Sequence, residues 1–363
     1  MPQSQPSKSL FQRLFGRLWR RPESDFGPRR GAVTHVIILD GTMSSLELGR
    51  ETNAGIAYSL CREMGSALSI YYEPGLQLRD WRSARDVIMG RGINRQIRRA
   101  YGYLASRYRP GDQIFLMGYS RGGYAVRSLA GVIDRVGLLR AEVATERNIR
   151  DVYRHYEAHH LSKAGELFAR ANCHPEVEIE AIGVWDTVKS LGLNAPLFWR
   201  LSQPLHMFHN HDLSRNVKNG FQALALNETR VAYAPVLWTT PEGYAGRLEQ
   251  VWFPGTHGDV GGQLGGDEAA RPLANIPLVW LMSRMEDSGL PLPEGWTTRF
   301  DQDPTAPSIG RWRGYGKMLV TRRRRVVGAD PSERLHESVD QRRAEAEPQP
   351  GLLARMQGVI SSL

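Results

Sequence analysis

The 363-residue sequence predicts an α/β fold, a mostly parallel sheet with helices on both faces and a helical cap or insertion. Short apolar runs that suit buried strands alternate with longer amphipathic runs that suit helices. This alternation is typical of a parallel sheet that helices cover on both faces. A second observation narrows the class. The apolar run at residues 114–117 leads directly into GYSRG (residues 118–122) and then into a helical pattern.

A GYSRG motif between a strand and a helix has the form of a nucleophile elbow, which predicts an α/β-hydrolase-like fold. The tight turn pushes the serine out of the sheet, and side chains at the two glycine positions would collide with the neighbouring strand and helix. The helix that starts at Ser120 points its first N–H groups at developing negative charge. Ser120 is therefore predicted to be a nucleophile. The alternative is a glycine-rich turn in which it only caps the helix.

The predicted fold opens with an apolar strand over residues 36–39, followed by Asp40, Gly41 and Thr42. A loop of small residues after such a strand is where hydrolases place a second donor for an oxyanion. We therefore predict that these three residues bind the oxyanion or the substrate. The alternative is an ordinary strand-to-helix turn.

The next elements follow from their apolar periodicity. They are a helix over 51–64, a strand over 67–72, an amphipathic helix over 91–109 and, after the serine helix, a long polar helical stretch over 141–172. The last stretch holds His155, His159 and His160. No recognised zinc pattern accompanies these histidines, so a solvated helix face is favoured over a metal site.

Two later strands supply the partners that a nucleophilic serine needs. A strand over 177–184 leads to Asp186, and ligands and catalytic groups cluster at that edge of parallel sheets. A strand through 251–253 ends in a glycine-rich loop with His257, the place for a general base after the last core strand. The chain order serine, acid, histidine is that of α/β-hydrolases. Asp259 competes for the acid role but is predicted to fix its own loop by accepting backbone N–H bonds.

Residues 189–219 are rich in proline and aromatic residues with few strand signals, and they are predicted to form the cap. Its apolar side chains could meet acyl chains. His206, His209 and His211 in this stretch are alternative bases by residue type, although no strand end flanks them.

Four further predictions concern the remainder of the chain. They are a buried helix over 219–228, a strand over 234–238, a helix over 276–285, and a run of four arginines, Arg322–Arg325, that forms a solvated face or contacts phosphate.

Residues 1–30 are predicted to be an appendage of the catalytic domain, residues 31–342, and residues 343–363 a linker with a short amphipathic segment. In residues 8–21, apolar pairs recur every four positions with cations between them. A helix here would suit an anionic membrane surface, and docking on the protein's own domain is the alternative. The net charge of +9 also favours anionic partners.

Neither a membrane-spanning apolar run nor a secretory signal peptide is evident in the sequence. Two cysteines imply no disulfide framework and no metal cluster. The sequence therefore predicts a cytoplasmic protein that can bind membranes peripherally.

Six stretches together resemble the α/β-hydrolase family that includes the Tle-one-like catalytic domains of type VI secretion phospholipase effectors. They are LDGT (39–42), GYSRGG (118–123), GVWDTV (183–188), ALALNETR (223–230), WFPGTHGDVGG (252–262) and LHESVDQR (335–342). The resemblance implies Ser120 as nucleophile, Asp186 as acid and His257 as base. The effectors of this family act on membrane phospholipids, so the resemblance also implies a lipid ester substrate. It is compatible with export by a type VI system. The family usually has tryptophan and asparagine after DGT, where this chain has Met43 and Ser44, and commonly alanine at Gly123.

The sequence thus predicts a serine hydrolase that cleaves carboxylic esters, above all lipid or phospholipid acyl esters, without a cofactor or metal. The backbone N–H of Arg121 and one from loop 41–43 are predicted to bind the oxyanion. The alternative is a catalytically idle hydrolase fold that binds a membrane surface or nucleic acid. Nucleic acid is disfavoured because aromatic residues are not interleaved with the arginine run.

Overall fold

The computed structural model describes residues 30–75, 91–158, 161–188, 213–310 and 321–346. Its centre is a seven-stranded sheet with the order β2-β1-β3-β4-β5-β6-β7, and every neighbouring pair of strands is parallel. The strands are β1 (Thr34–Leu39), β2 (Leu68–Glu73), β3 (Gln113–Tyr119), β4 (Ile179–Trp185), β5 (Val217–Ala225), β6 (Arg247–Phe253) and β7 (Glu333–Leu335).

Helices alternate with these strands as the sequence predicted. They are α1 (Asn53–Glu63), α2 (Arg91–Ala105), α3 (Arg121–Arg135), α4 (Glu146–Glu157), α5 (Lys163–Asn172), α6 (His257–Gly261), α7 (Arg271–Asp287) and α8 (Ser338–Ala346). The predicted α/β-hydrolase-like fold class is confirmed.

Two apolar cores lie on opposite faces of the sheet. Ile37 and Leu39 of β1 join one core with α2 and α3, while Val36 and Ile38 join the other core with α1 and α7. All four side chains are fully buried. Because each face of a central parallel strand meets a helix, its sequence is a continuous apolar run without alternation.

The predicted buried helix over 219–228 is wrong. Residues 219–225 belong to β5, and Phe221, Ala223 and Leu224 are fully buried there. A short run that is apolar on both faces fits a strand and a helix equally well by periodicity. The long-range pairing of β5 with β4 and β6 decides between them.

Three smaller predictions are also corrected. Residues 234–238 form no strand, and only an isolated bridge joins Pro235 to Val188. The helical stretch 141–172 is two helices, since α4 ends at Glu157 and α5 begins at Lys163. The strand before His257 is not the last in the sheet, because β7 pairs beside β6 at the edge.

Several predictions lie outside the described residues. These are the cationic helix in residues 8–21, the cap over 189–212, the C-terminal amphipathic segment, and the histidines His159, His160, His206, His209 and His211. The last residues of the predicted cap, 217–219, begin β5. Among the described helices, none combines the length and apolarity that crossing a membrane requires.

The sheet brings four loops to one edge. Because all its strands are parallel, the loops that follow β1, β3, β4 and β6 leave from the same side. The chain places β2 on one side of β1 and β3 on the other, so the strand order reverses between β1 and β3. Ligands of open α/β sheets bind at such switch points.

The turn from β3 into α3 approaches β1 so closely that only glycine fits at position 122. A Cβ there would lie 2.0 Å from the Leu39 carbonyl oxygen and 2.6 Å from that of Asp40. At Gly118 it would lie 2.7 Å from the backbone of Gly122 and Gly123. The motif glycines thus allow the strand, turn and helix to pack backbone against backbone.

We predict that Gly122→Ala lowers the free energy of unfolding by at least about 3 kcal/mol, because neither backbone can move without separating β1 from the turn. Gly131→Ala in the same helix is the matched control. Its Cβ would lie 3.1 Å from the Tyr156 hydroxyl, a side-chain atom, and alanine's helix propensity offsets that contact. Urea unfolding measures both variants. Equal stabilities would show that the close approach is unimportant.

Candidate active site

Ser120, His257 and Asp186 form a hydrogen-bonded chain at this edge of the sheet. The Ser120 Oγ lies 2.9 Å from His257 Nε2, and His257 Nδ1 lies 2.6 Å from Asp186 Oδ2. All three residues are buried, with 7%, 5% and 0% of their surfaces exposed. The three residues that the sequence put forward as nucleophile, base and acid therefore lie together, although 137 residues separate Ser120 from His257.

Ser120 and Asp186 both have backbones in a strained region for non-glycine residues. Ser120 has φ 56° and ψ −120°, and Asp186 has φ 37°. Neighbouring strands hold these conformations in place, since Ser120 N–H donates to the Trp185 carbonyl and Asp186 N–H donates to the Ala223 carbonyl. Such strain at the ends of adjacent strands is typical of functional sites.

The Asp186 carboxylate accepts four hydrogen bonds. Its Oδ1 accepts from the Ala225 N–H at 3.0 Å and from Arg325 at 2.5 Å, and its Oδ2 accepts from His257 and from Arg325 at 2.9 Å. Burial alone would raise the pKa of Asp186, but the Arg325 charge and the hydrogen bonds from His257 and Arg325 outweigh burial and hold this pKa well below its usual value.

The ionised carboxylate fixes the hydrogen positions on His257. A carboxylate only accepts hydrogen bonds, so the neutral imidazole carries its proton on Nδ1 and presents the Nε2 lone pair to Ser120. Nε2 can therefore take a proton from the serine hydroxyl, which is the arrangement of a general base.

Arg325 is a site residue that sequence reasoning missed. The prediction of a solvated or phosphate-contacting arginine run is wrong for Arg325, whose side chain is 5% exposed. Arg323 N–H donates to the Thr229 carbonyl and Val231 N–H to the Thr321 carbonyl, and this short pairing carries Arg325 to Asp186. Arg325 also donates to the carbonyls of Ala225 and Tyr233. Four neighbouring arginines gave no sign of which one turns inward.

The imidazole of His257 lies between two tyrosine rings. Tyr233 stacks on it with a centroid distance of 4.6 Å and an interplanar angle of 11°, and Tyr119 lies on it at 5.0 Å. The guanidinium of Arg230 covers the Tyr233 ring at 4.4 Å. These contacts restrict the rotation of the imidazole. Tyr119 occupies one of the two variable positions of the serine motif, and Tyr233 ends a short 3-10 helix, Val231–Tyr233, that carries no motif.

Two buried carboxylates hold the loop that carries His257. Glu228 accepts from the His257 N–H at 3.2 Å and from Arg230, and Arg230 lowers the pKa of Glu228 against the opposing effect of burial. Asp259 accepts from the N–H and hydroxyl of Thr256 and from the N–H of Ile309. The Nδ1 of His257 bonds to Asp186 and not to Asp259. Asp259 thus joins the start of its own loop to residue 309.

The loop after β1 differs in part from the prediction. The Asp40 carboxylate is buried and accepts from Thr52, Tyr72 and the Gly41 N–H, so it braces the loop from inside. Burial raises the pKa of Asp40 to about 6 against these hydrogen bonds. The Gly41 N–H donates to the Asp40 carboxylate and is therefore not a free oxyanion donor. The next N–H in the chain that could take this role is that of Thr42.

A side chain from the His257 loop also fixes this segment. Gln263 donates to the Thr42 carbonyl at 2.9 Å and accepts from the Tyr119 hydroxyl at 3.3 Å. Met43, where the family usually has tryptophan, has φ 61° in the left-handed region, and 43% of the residue's surface is exposed. Gln263 thus joins the loop after β1, 221 residues away in the chain, to Tyr119, the residue before Ser120.

Of the other histidines that the sequence put forward, only His155 lies in the described part of the chain. His155 packs on Phe168 between α4 and α5. Within the described ranges, no group of three or more histidine, cysteine, aspartate or glutamate side chains is placed to hold a metal ion.

We predict that Arg325→Gln lowers the free energy of unfolding by about 3–5 kcal/mol at pH 7, because it leaves the Asp186 charge buried with only two donors. Arg324→Gln, the same change at the exposed neighbour, should cost less than about 1 kcal/mol. The lowered pKa of Asp186 contributes stability that is present above pH 3.8, its ordinary value, and disappears as the pH falls below that value.

Denaturant unfolding of both variants at several pH values measures this contribution. The deficit of Arg325→Gln should be constant between pH 7 and 5 and shrink below about pH 4. A deficit that grew on acidification, or that matched that of Arg324→Gln, would contradict the assignment of Arg325 to Asp186.

Comparison with known proteins relates this geometry to a family. Residues 34–284 match the family described as "T6SS, Phospholipase effector Tle1-like, catalytic domain". The uncharacterized protein YEL023C of Saccharomyces cerevisiae is 26% identical over 234 residues, which cover 56% of this chain and 34% of that protein.

Solved structures with a similar chain course include the Tle1 effector bound to the VgrG spike from the type 6 secretion system (17% identity, TM-score 0.37, covering 65% of this chain and 52% of that one). An uncharacterized protein from Pseudomonas aeruginosa gives 14% identity, a TM-score of 0.42 and coverages of 81% and 51%. The esterase Est2 of Thermogutta terrifontis gives 14%, 0.34, and coverages of 75% and 87%. The chain spans about half the length of the first two structures and about a third of the yeast protein.

The family match covers more than half of the chain and includes the strands that carry Ser120, Asp186 and His257. The chain belongs to the Tle1-like family of type VI secretion phospholipase effector catalytic domains.

Proposed function

We propose that the protein is a serine hydrolase that cleaves carboxylic esters, with lipid and phospholipid acyl esters as its substrate class. The observation that carries the proposal is the hydrogen-bonded chain from the Ser120 hydroxyl through His257 to the ionised Asp186. Membership of a family named for phospholipase effectors supports the lipid substrate.

In the proposed reaction, Ser120 Oγ attacks the ester carbonyl while His257 Nε2 takes its proton. Asp186 stabilises the imidazolium that forms, and that imidazolium then protonates the leaving alcohol. Water activated by the same histidine cleaves the acyl-enzyme and releases the carboxylic acid. Side chains of the chain itself thus carry every proton transfer, and the proposal includes neither a metal nor a cofactor.

Two backbone N–H groups are proposed to bind the tetrahedral oxyanion. Arg121 is the first residue of α3, and its N–H points out of the helix end beside Ser120. Thr42 supplies the second, in the loop that Gln263 holds. Donors in such positions contribute roughly 3–4 kcal/mol each to transition-state stabilisation.

The N-terminal segment is proposed to bring the enzyme to its membrane substrate. Residues 31–342 would be the catalytic domain, and the cationic segment at residues 8–21 would bring it to anionic membrane surfaces by charge attraction and by burial of its apolar face. Such a protein would be cytoplasmic or peripheral to a membrane, and family membership is compatible with its export by a type VI system.

Covalent labelling tests the proposal. A fluorophosphonate probe should modify the native protein at one site, and peptide mass spectrometry should place the adduct on Ser120. Ser120→Ala should abolish labelling and ester hydrolysis together, because no other group attacks the probe. A native protein that binds liposomes but is neither labelled nor active would instead be an idle hydrolase fold that acts as a binding module.

The roles of the two acids can be separated by matched substitutions. Asp186→Asn should lower kcat on a soluble short-chain ester by about 10⁴-fold. An amide NH₂ in place of Oδ2 donates to His257 Nδ1, which moves the imidazole proton to Nε2 and removes the lone pair that faces Ser120. Asp259→Asn should lower it by less than about tenfold, since Asp259 bonds to Thr256 of its own loop and to Ser308 and Ile309, and not to the His257 imidazole. Circular dichroism of both variants controls for folding. The reverse ranking would assign the acid role to Asp259.

A further inference from the structure

Arg121, the residue after the proposed nucleophile, has a buried guanidinium group for which the described residues provide no partner. Arg121 is 7% exposed, and its Nη1 is buried without a hydrogen bond. No hydrogen bond or ion pair joins its guanidinium to any residue in the described part of the chain. The buried arginines nearby differ in this respect. Arg325 pairs with Asp186, Arg230 pairs with Glu228, and Arg127 donates to the Val236 and Leu237 carbonyls.

The carboxylates near His257 cannot neutralise Arg121, because each already has its own partners. Arg325 neutralises Asp186, and Arg230 neutralises Glu228. Burial lowers the pKa of Arg121 to about 10, and the nearby Tyr233 hydroxyl opposes this change. The side chain therefore remains cationic at neutral pH. Keeping an unpaired cation out of water is costly, so an arginine in this position is expected to serve a ligand.

The position of Arg121 indicates which ligand that is. It directly follows Ser120, and Tyr233, the residue that interacts with its charge, stacks on His257. Arg121 is thus the chain neighbour of Ser120, and its charge lies near a ring that contacts His257. An anionic group in the substrate, a few bonds from the scissile carbonyl, would supply the missing partner when the ester binds. A planar guanidinium presents paired donors that match two oxygens of a phosphate.

We propose that the Arg121 side chain binds the phosphodiester of the substrate, so that the protein prefers acyl esters that carry a phosphate over neutral esters with the same acyl chains. This inference rests on the proposed serine hydrolase function. It gives Arg121 a second role, since the backbone N–H of Arg121 is already proposed as an oxyanion donor. Specificity arises because a neutral ester leaves the buried guanidinium unpaired.

Two substrates that share their acyl chains test the inference. We compare kcat/KM for dihexanoylphosphatidylglycerol and dihexanoylglycerol, both as monomers in solution, and use their ratio as the readout. Arg121→Gln keeps the backbone N–H and should lower this ratio about tenfold or more, chiefly through the phospholipid. Arg121→Lys should lower it less. Arg324→Gln, which removes one exposed positive charge, should leave the ratio unchanged.

Stability separates recognition from a structural role. Because Arg121→Gln removes an unpaired buried charge, its Tm should equal or exceed that of the native protein. A lower Tm, or a variant that does not fold, would make Arg121 a structural residue and overturn the inference. So would an unchanged substrate ratio. Inhibition of dihexanoylglycerol hydrolysis by inorganic phosphate with an unchanged ratio would assign the site to free phosphate, which also overturns it.

Failure of this inference is distinct from failure of the proposed function. If fluorophosphonate labels Ser120 and both esters are cleaved with an unchanged ratio, only the role of the Arg121 side chain is lost. If the native protein is not labelled and cleaves neither ester, the serine hydrolase function is lost, and the inference is lost with it.

Discussion

The site depends on the neutralisation of one buried charge, the carboxylate of Asp186. A fully buried carboxylate is tolerated only when hydrogen bonds and an opposite charge replace water, and here donors from β5, His257 and Arg325 do so. Each donor is placed by a different part of the chain. Satisfying Asp186 therefore ties the middle of the sheet, the histidine loop and the segment after residue 320 together, and the same hydrogen bonds set the tautomer of His257.

Around this centre, two buried carboxylates are paired with arginines, whereas the guanidinium of Arg121 has no hydrogen-bond partner among the described residues. Glu228 and Arg230 form a second buried pair that fixes the backbone of His257, and Arg230 also covers the ring that stacks on that histidine. The imidazole of His257 is thus held by backbone, ring and carboxylate contacts together. Such preorganisation suits a reaction in which charge develops on the histidine. The Arg121 guanidinium, which has no partner among the described residues, is proposed to let the same region recognise an anion.

The order of elements and the site residues at strand ends were predictable from the sequence. The strand at residues 114–117 is recognisable from its own apolar run. The turn at Ser120 is recognisable from its glycines, because a strained turn between a strand and a helix tolerates few residue types. Parallel strands send their carboxyl ends to one edge, so Ser120, Asp186 and His257 could be expected to meet once each was assigned to a strand end. Asp259 was separable from Asp186 because it lies too near His257 in the chain.

By itself, the sequence determined the α/β class, the turn at Ser120 and the chain order of the three site residues, because these follow from local periodicity and steric demands. The tertiary structure decided the rest. β5 is a strand because it pairs with β4 and β6, and its run, apolar on both faces, carries no period to distinguish it from a helix. Arg325 rather than its neighbours meets Asp186 because residues 321–323 pair with 229–231. Contacts between such distant segments leave no local pattern, so only the folded chain shows which arginine is neutralised and which, at Arg121, is not.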